Sequence, residues 1–158
     1  SAPIELIEPL EGKYPAPFTA FLTDECNLEN EGRYIGIPEF RNVLMPDSIL
    51  LHRLESDQLS VDMHLVGRGA LLEMVECNKD DVDYTCQWRM DPVSVASDAL
   101  LNFEIVADGS WVSDGALEGG MTWDISCAGS DCSQIASKFE VRNGFPCRTE
   151  LSYSGRVD

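Results

Sequence analysis

Hydrophobic and polar residues alternate along most of the chain beyond residue 17. The alternation is clearest in residues 59–65, 84–90 and 121–127, where every second residue is apolar. A period of two is typical of a strand with one buried face, because successive side chains point to opposite sides of a sheet. These three segments are predicted strands.

Turn-forming residues separate these strands at short intervals. Further strands are predicted at 49–54 and 70–77. Asp108-Gly109 predicts a hairpin between strands at 100–107 and 110–117. Gly119-Gly120 is predicted to begin the next strand. About seven consecutive strands favour a mostly β fold, an antiparallel up-and-down meander. We expect it to close as a barrel, which removes exposed sheet edges; a β-sandwich is the alternative.

The two ends of the chain differ from this pattern. Residues 1–17 are rich in proline and lack periodicity, so they are predicted to form an extended N-terminal arm. Residues 18–158 are predicted to form a single β domain that is crosslinked by disulfides. Residues 130–139 combine N-cap candidates with apolar residues at helical spacing, which predicts one short C-terminal helix. Residues 151–157 alternate again and predict a final strand.

This layout resembles the lipocalin or calycin family of β-barrels. The resemblance consists of a Gly-x-aromatic entry at Gly12-Lys13-Tyr14, the meander, the late helix and the returning strand. The family usually has tryptophan where Tyr14 stands, and its later turn motif has no match here. The resemblance implies a cup that holds a small apolar ligand.

The six cysteines have spacings that match neither paired zinc knuckles nor a thioredoxin motif. Three disulfides are therefore expected, beginning with Cys77–Cys86, which lie on adjacent predicted strands. Three pairings remain for the other four cysteines. They are Cys127–Cys132 with Cys26–Cys147, which sequence proximity favours, Cys132–Cys147 with Cys26–Cys127, and Cys127–Cys147 with Cys26–Cys132.

Disulfides indicate an oxidising compartment, because cytosolic reductants keep thiols reduced. The expected location is secreted, periplasmic or cell-surface, and the small polar start Ser1-Ala2-Pro3 would suit signal cleavage or a lipoprotein anchor. The apolar runs are far shorter than the 18 or more residues of a membrane span, so no transmembrane segment is expected.

The net charge of −17 bears on the partners of the chain. Nucleic acid and anionic membranes are disfavoured because both are recognised through basic surfaces. The acidity is interpreted mainly as a contribution to solubility.

Few residues suggest chemistry at a site. The two histidines, His52 and His64, lie on predicted strands that alternation turns toward solvent, so no metal site and no cofactor are expected. The loop from Asn78 to Asp83 is rich in oxygen ligands, but it lacks the ligand order of an EF-hand, and calcium binding there stays open. No catalytic constellation is present, and an enzyme is not expected.

Two functions remain after these exclusions. The first is an exported small β-barrel that binds a small apolar ligand in its interior. Its predicted ligand residues are Met63, Tyr84, Trp88, Phe103, Met121 and Trp123. The alternative is a non-catalytic interaction or structural subunit of an extracellular or cell-envelope assembly, which a packed interior would favour.

Overall fold

The computed structural model describes residues 6–15, 18–35, 48–53, 58–64 and 71–157. Within them lie nine strands, two α-helices and one 3-10 helix. The strands are β1 (Gly12–Pro15), β2 (Phe18–Asp24), β3 (Ser48–Arg53), β4 (Gln58–His64), β5 (Leu71–Asp80), β6 (Asp83–Ala96), β7 (Ala99–Ser113), β8 (Ala116–Ala128) and β9 (Cys147–Arg156). The helices are α1 (Leu28–Glu31), the 3-10 helix Gly32–Ile35 and α2 (Cys132–Lys138).

The nine strands form one sheet in the order β1-β3-β4-β5-β6-β7-β8-β9-β2. Strands β3 to β9 pair with their neighbours in sequence, and every pairing is antiparallel. The predicted mostly β fold and its meander are therefore confirmed.

The two edge strands of this sheet, β1 and β2, are consecutive in the chain. Pro15 ends β1 and Phe18 begins β2, so these two edge residues lie within about 11 Å of each other, the reach of three residues. Among the described residues no ladder joins β1 directly to β2. The described hydrogen bonds therefore do not close the sheet, and the predicted barrel is not confirmed. A β-sandwich-like layout is compatible with this strand order.

One face of the sheet carries the core. Along β7 the residues Ala99, Leu101, Phe103, Ile105 and Ala107 are buried, and the residues between them are more exposed. This follows from the pleat, because a strand with apolar residues at every second position buries only one face. The sequence alternation therefore identified the inner face of this strand correctly.

The predicted hairpin at Asp108-Gly109 is wrong. Strand β7 continues through both residues, and the turn that leads to β8 lies at Asp114–Gly115. Gly109 pairs with Gly119 of β8 instead of forming a turn. A glycine in a strand often marks a close approach by another group, and two tyrosine side chains make that approach here, as described below.

The predicted C-terminal helix is confirmed as α2, whereas α1 and the 3-10 helix lie outside the sequence predictions. The Asp24 carboxylate accepts hydrogen bonds from the backbone N–H groups of Leu28 and Glu29, which satisfies two donors at the start of α1. The Tyr34 ring stacks on Phe139, which follows α2, with ring centroids 5.2 Å apart. The two helical regions therefore pack together at one end of the sheet.

All six cysteines are paired, in the arrangement that sequence proximity favoured. The bridges are Cys26–Cys147, Cys77–Cys86 and Cys127–Cys132. Cys26–Cys147 joins the segment after β2 to the start of β9, Cys77–Cys86 joins β5 to β6, and Cys127–Cys132 joins β8 to α2. None of the described helices is long and apolar enough to span a membrane.

Candidate functional site

A row of two tyrosines and two glycines crosses the inner face of four adjacent strands. The register places Tyr84 of β6 beside Gly109, Gly109 beside Gly119, and Gly119 beside Tyr153 of β9. Three strand spacings separate the two tyrosine backbones by about 14 Å, and two extended tyrosine side chains span that distance. Their hydroxyl oxygens meet 2.6 Å apart.

The glycines leave the space that these rings occupy. A Cβ atom at Gly109 would lie 2.6 Å from the Tyr84 hydroxyl, and one at Gly119 would lie 2.5 Å from the Tyr153 hydroxyl. Both distances are too short for any real side chain. The glycines at 109 and 119 therefore serve packing.

The hydroxyl groups of this row satisfy one another. Tyr153 donates to the Asp108 carbonyl oxygen at 2.8 Å, so its single proton is used and Tyr84 is the donor in the bond between the two hydroxyls. Burial raises the pKa of both phenols, which keeps them protonated and able to donate.

A second buried polar pair lies next to this row. The Trp111 indole N–H donates to the Tyr14 hydroxyl at 2.8 Å, and that hydroxyl donates to the Leu10 carbonyl oxygen at 2.7 Å. The Trp111 ring packs edge-on against Tyr84, with centroids 5.2 Å apart. These contacts join β1 and the segment before it to the inner face of β6 and β7.

Most of the predicted ligand residues lie in the packed core. Tyr84, Phe103, Met121 and Trp123 are buried, with exposures of 3%, 2%, 1% and 1%. Phe103 packs edge-on against Trp123, whose indole N–H donates to the Met121 sulfur at 3.2 Å. Their polar atoms are satisfied within the protein, and their proposed ligand role stays a prediction.

The other two predicted ligand residues differ. Trp88 lies on the same face of β6 as Tyr84 but is only partly buried. Met63 pairs with Ile49 and Glu73 in the register of β4, and its side chain lies outside the described residues. Trp88 is therefore the one member of the set that the described structure places at a partly open position.

The partial exposure of Trp88 coincides with a gap between β5 and β6. The two strands pair over only four positions, from the Asp80–Asp83 pair beside the turn to the Cys77–Cys86 pair. Beyond the disulfide, residues 71–76 of β5 pair with β4, and residues 87–96 of β6 pair with β7. No described residue pairs with either strand across this gap.

Strand alternation identifies the backbone groups that face the gap. Trp111 N–H donates to the Val82 carbonyl, so the even-numbered residues at the start of β6 face β7. Gln87 and Arg89 consequently turn their N–H and C=O groups toward β5. The Cys77–Cys86 pair is then a non-hydrogen-bonded pair, so the Gln87 N–H donates to the Glu76 carbonyl oxygen beside it, and beyond this bond no described strand pairs with β6 on this side. We call this side of residues 87–92 the β6 edge.

Two surface depressions lie over β6 and β7 on the outer face of the sheet. One, of about 590 Å³, is lined in part by Arg89, Met90, Asp91 and Pro92. The other, of about 230 Å³, is lined by Gln87, Trp88 and Arg89 together with residues of β7. The outer face of β6 and β7 is therefore recessed.

The charges around the β6 edge are mainly negative. Arg89 is paired with Glu104 at 2.6 Å. The exposed carboxylates Glu76, on β5, and Asp91, on β6, have no ion-pair partner among the described residues. The surface beside the gap is thus acidic.

A polar cleft lies between α1 and α2 at the end of the sheet. Its volume is about 1050 Å³, and its walls come from the ends of β2 and α1, from α2 and from residues 140–144. The Asn27 side chain donates to the Phe139 carbonyl across its floor at 3.0 Å. Three carboxylates, Asp24, Glu25 and Glu140, and one guanidinium, Arg142, line it, so the charged groups of this cleft are mainly acidic.

The histidines and the acidic loop do not form a metal site in the described residues. The register pairs His52 with Ser60 and His64 with Ser48, which sets the two histidines about 13 Å apart along the ladder. The loop between β5 and β6 is a tight turn with Asp81 in the left-handed region, and Asp83 accepts a hydrogen bond from Ser110. No group of three or more potential metal ligands occurs among the described residues.

Sequence reasoning missed the β6 edge because it depends on where pairing stops. Alternation predicted β5 and β6 as neighbours, but the point at which they diverge is a property of the folded sheet. The one available signal was Pro92, which lies within a long strand and is tolerated chiefly at edges and bulges. The pairing of β6 with β7 is indeed irregular between Met90 and Val93.

The chain matches no known protein family, no curated protein and no solved structure.

Proposed function

We propose that the sheet closes into a small barrel in an exported protein. The short connection between β1 and β2 supports closure, because one bent segment then pairs with β3 on one side and β9 on the other. The Tyr14–Trp111 hydrogen bond supports it as well, since it joins β1 to β7 across the sheet. Three disulfides are consistent with an extracellular or oxidising location.

We infer that this barrel is a non-catalytic interaction domain of an extracellular or cell-envelope assembly. One observation carries the inference: four of the six predicted ligand residues form a filled core whose hydroxyl and indole groups already have partners. A ligand would have to displace these side chains. The outer surface, by contrast, holds recesses over β6 and β7.

Photo-crosslinking in the native host tests this function. A benzophenone amino acid replaces Gln87 at the β6 edge, Ser137 in the cleft between α1 and α2, or Thr122 on the outer face of β8. At one of these positions we expect a discrete adduct of constant mass. The absence of an adduct at all three, for a protein that is monomeric when isolated without denaturant, would contradict an interaction function.

The binding of a small apolar ligand remains a second candidate, favoured by the partial exposure of Trp88 and Met90. A panel of apolar fluorescent probes distinguishes the two functions. An interaction domain with a packed interior shows no saturable quenching of tryptophan emission. One-to-one quenching that is lost in Trp88→Phe and kept in Trp111→Phe would instead favour the ligand-binding function.

A further inference from the structure

We propose that the larger recess on the outer face of the sheet binds a neutral saccharide. We call this depression over β6, β7 and β8 the outer recess. Its volume of about 590 Å³ lies within the range of about 300–1,000 Å³ that is typical of sites for small ligands. The inference goes beyond the proposed interaction function and does not depend on it.

A row of four charged side chains crosses the outer recess and continues onto β9. The register pairs these residues across adjacent strands, and paired residues point to the same face of a sheet. In order from β6 to β9 they are Arg89, Glu104, Asp124 and Arg148. Two positive and two negative groups compensate each other, so the row offers hydrogen-bond donors and acceptors without a net charge.

Ion pairs fix the orientation of both carboxylates in this row. Arg89 donates to Glu104 at 2.6 Å, and Arg148 donates to the two oxygens of Asp124 at 2.8 and 3.2 Å. The Glu104 and Asp124 side chains are still 59% and 37% exposed, so a ligand can reach them. Groups that are held in place before binding lose little freedom when a ligand arrives.

The order of charges in the row fits binding better than stability. Glu104 and Asp124 lie directly opposite each other in the register, and like charges at such positions destabilise a sheet. Alternating charges would have avoided this repulsion. The observed order instead brings two acceptor groups together at the centre of the row.

The next row along the strands adds polar groups without partners. Asn102 and Ser126 are paired in the register and line the outer recess. Neither side chain forms a hydrogen bond with a described residue, although Asn102 is half-buried. An amide and a hydroxyl each donate and accept hydrogen bonds, so both need a ligand that does the same.

A β-bulge forms one end of the outer recess. The register of β6 with β7 shifts between Met90 and Val93, so that Asp91 and Pro92 together oppose Asn102. Bulges often lie beside functional sites, where they redirect a side chain. Here the exposed Asp91 carboxylate, which has no partner among the described residues, lines the recess and can accept from neighbouring hydroxyl groups.

Apolar groups complete the lining of the outer recess. Met90 and Pro92 lie at the β6 end, and Pro146 lies at the end nearest β9. The carbon-bound hydrogens of a sugar ring form an apolar surface that packs against such side chains. The recess thus combines polar groups of both kinds with a limited apolar contact.

This combination selects a neutral, hydroxyl-rich ligand. A sugar hydroxyl can donate to a carboxylate while it accepts from a guanidinium or an amide. A charged ligand would have to disrupt an existing ion pair, and an apolar one would bury polar groups without partners. The row of charges spans about 14 Å across three strand spacings, which suits a short oligosaccharide.

The probes are maltose, lactose, mannobiose and N,N′-diacetylchitobiose, each titrated into the full protein and followed by amide NMR. For at least one of them we expect saturable shifts at residues 89–92, 102–104 and 124–126. Added salt should leave the affinity unchanged, because the ligand carries no charge. Retained binding of the corresponding polymer would assign the site to a polysaccharide chain, and its loss would assign the site to free sugar.

A matched pair of asparagine variants tests the position of the site. Asn102→Ala removes the half-buried amide from the outer recess, whereas Asn78→Ala removes an exposed amide on β5, outside it. We expect at least a tenfold loss of affinity in Asn102→Ala and no change in Asn78→Ala. A melting temperature measured for each variant establishes that both are folded.

An exchange of charges separates binding from stability. The double variant Arg89→Glu with Glu104→Arg keeps an ion pair between β6 and β7 and places an arginine opposite Asp124. We expect a melting temperature at least equal to that of the wild type. Affinity for the saccharide should fall at least tenfold, because donors and acceptors have changed places.

Three results would overturn the proposal. The first is the absence of saturable shifts with all of the probes. The second is full affinity in both Asn102→Ala and the exchange variant, which would place the binding site elsewhere. The third is binding that disappears in salt, which would reduce the interaction to charge. None of these results affects the interaction function, which the crosslinks test.

Discussion

At the residue scale, the interior is organised by hydroxyl groups that have only internal partners. Tyr84 donates to Tyr153, which donates to the Asp108 carbonyl, and the glycines at 109 and 119 provide the space. A buried polar group that loses its partner costs about 1–3 kcal/mol, more than a typical hydrogen bond contributes. The hydroxyl groups of Tyr84 and Tyr153 therefore contribute unequally to the stability of the fold.

Tyr153→Phe is expected to destabilise the protein by about 1–3 kcal/mol, because it leaves both the Asp108 carbonyl and the Tyr84 hydroxyl without this partner. Tyr84→Phe is expected to cost less, since the Tyr153 proton still reaches Asp108. Denaturant unfolding of both variants and of the double variant measures these values. Strictly additive losses would mean that the two hydroxyls do not interact.

At the element scale, the turn between β6 and β7 is held by the segment between β8 and α2. The Asp98 carboxylate accepts bonds from the Ser130 hydroxyl at 2.6 Å and from the Ser130 backbone N–H at 2.8 Å. The Asp98 N–H donates in return to the Asp131 carboxylate at 2.9 Å. The bond from the Ser130 hydroxyl, followed by that from its N–H, lowers the pKa of Asp98 below its ordinary value of 3.8.

This lowered pKa makes the turn sensitive to acid. The folded protein binds the Asp98 proton less readily than the unfolded chain, so the stabilisation is fully present above pH 3.8 and is lost as the pH falls through the lower folded value. We expect Asp98→Asn to lower the melting temperature at pH 7 and the difference from wild type to shrink below pH 3.8.

Thermal melts between pH 7 and strong acid measure this effect. Asp91→Asn is the matched control, because Asp91 is an exposed aspartate without a side-chain hydrogen bond to any described residue. A constant difference between Asp98→Asn and wild type across the whole pH range would show that the Asp98 charge is not involved.

At the scale of the whole molecule, the three disulfides close loops of very different length. Cys26–Cys147 spans 121 residues of sequence, whereas Cys127–Cys132 spans 5. A crosslink stabilises mainly by restricting the unfolded chain, and the restriction grows with loop length. The bridge between the start and the end of the domain is therefore the most important for stability.

Replacement of Cys26 and Cys147 by alanine is expected to cost about 5 kcal/mol, and the same replacement of Cys127 and Cys132 about 2 kcal/mol, from loop-closure entropy. Calorimetry or denaturant unfolding of the two double variants tests this order. Equal losses would show that local packing around the sulfurs, and not chain restriction, determines the stabilisation.

The sequence by itself determined that the fold is mostly β, which face of β6, β7 and β8 is apolar, and that the cysteines are paired. Alternation depends only on the pleat, so residues such as Phe103 and Trp123 were placed on the apolar face from the pattern alone. The pairing of Cys77 with Cys86 followed from two strands joined by a short turn. Each of these features is local, and a local pattern is sufficient to predict it.

Only the tertiary structure decided what Gly109 and Trp88 do. The sequence around Gly109 is typical of a turn, but Gly109 lies in β7. The side chains of Tyr84 and Tyr153, from strands on either side of β7, pack against it. Trp88 has the pattern of a core residue, yet it is partly exposed because β5 diverges from β6 beyond Cys86. Both outcomes depend on contacts between distant segments, which no periodicity along the chain records.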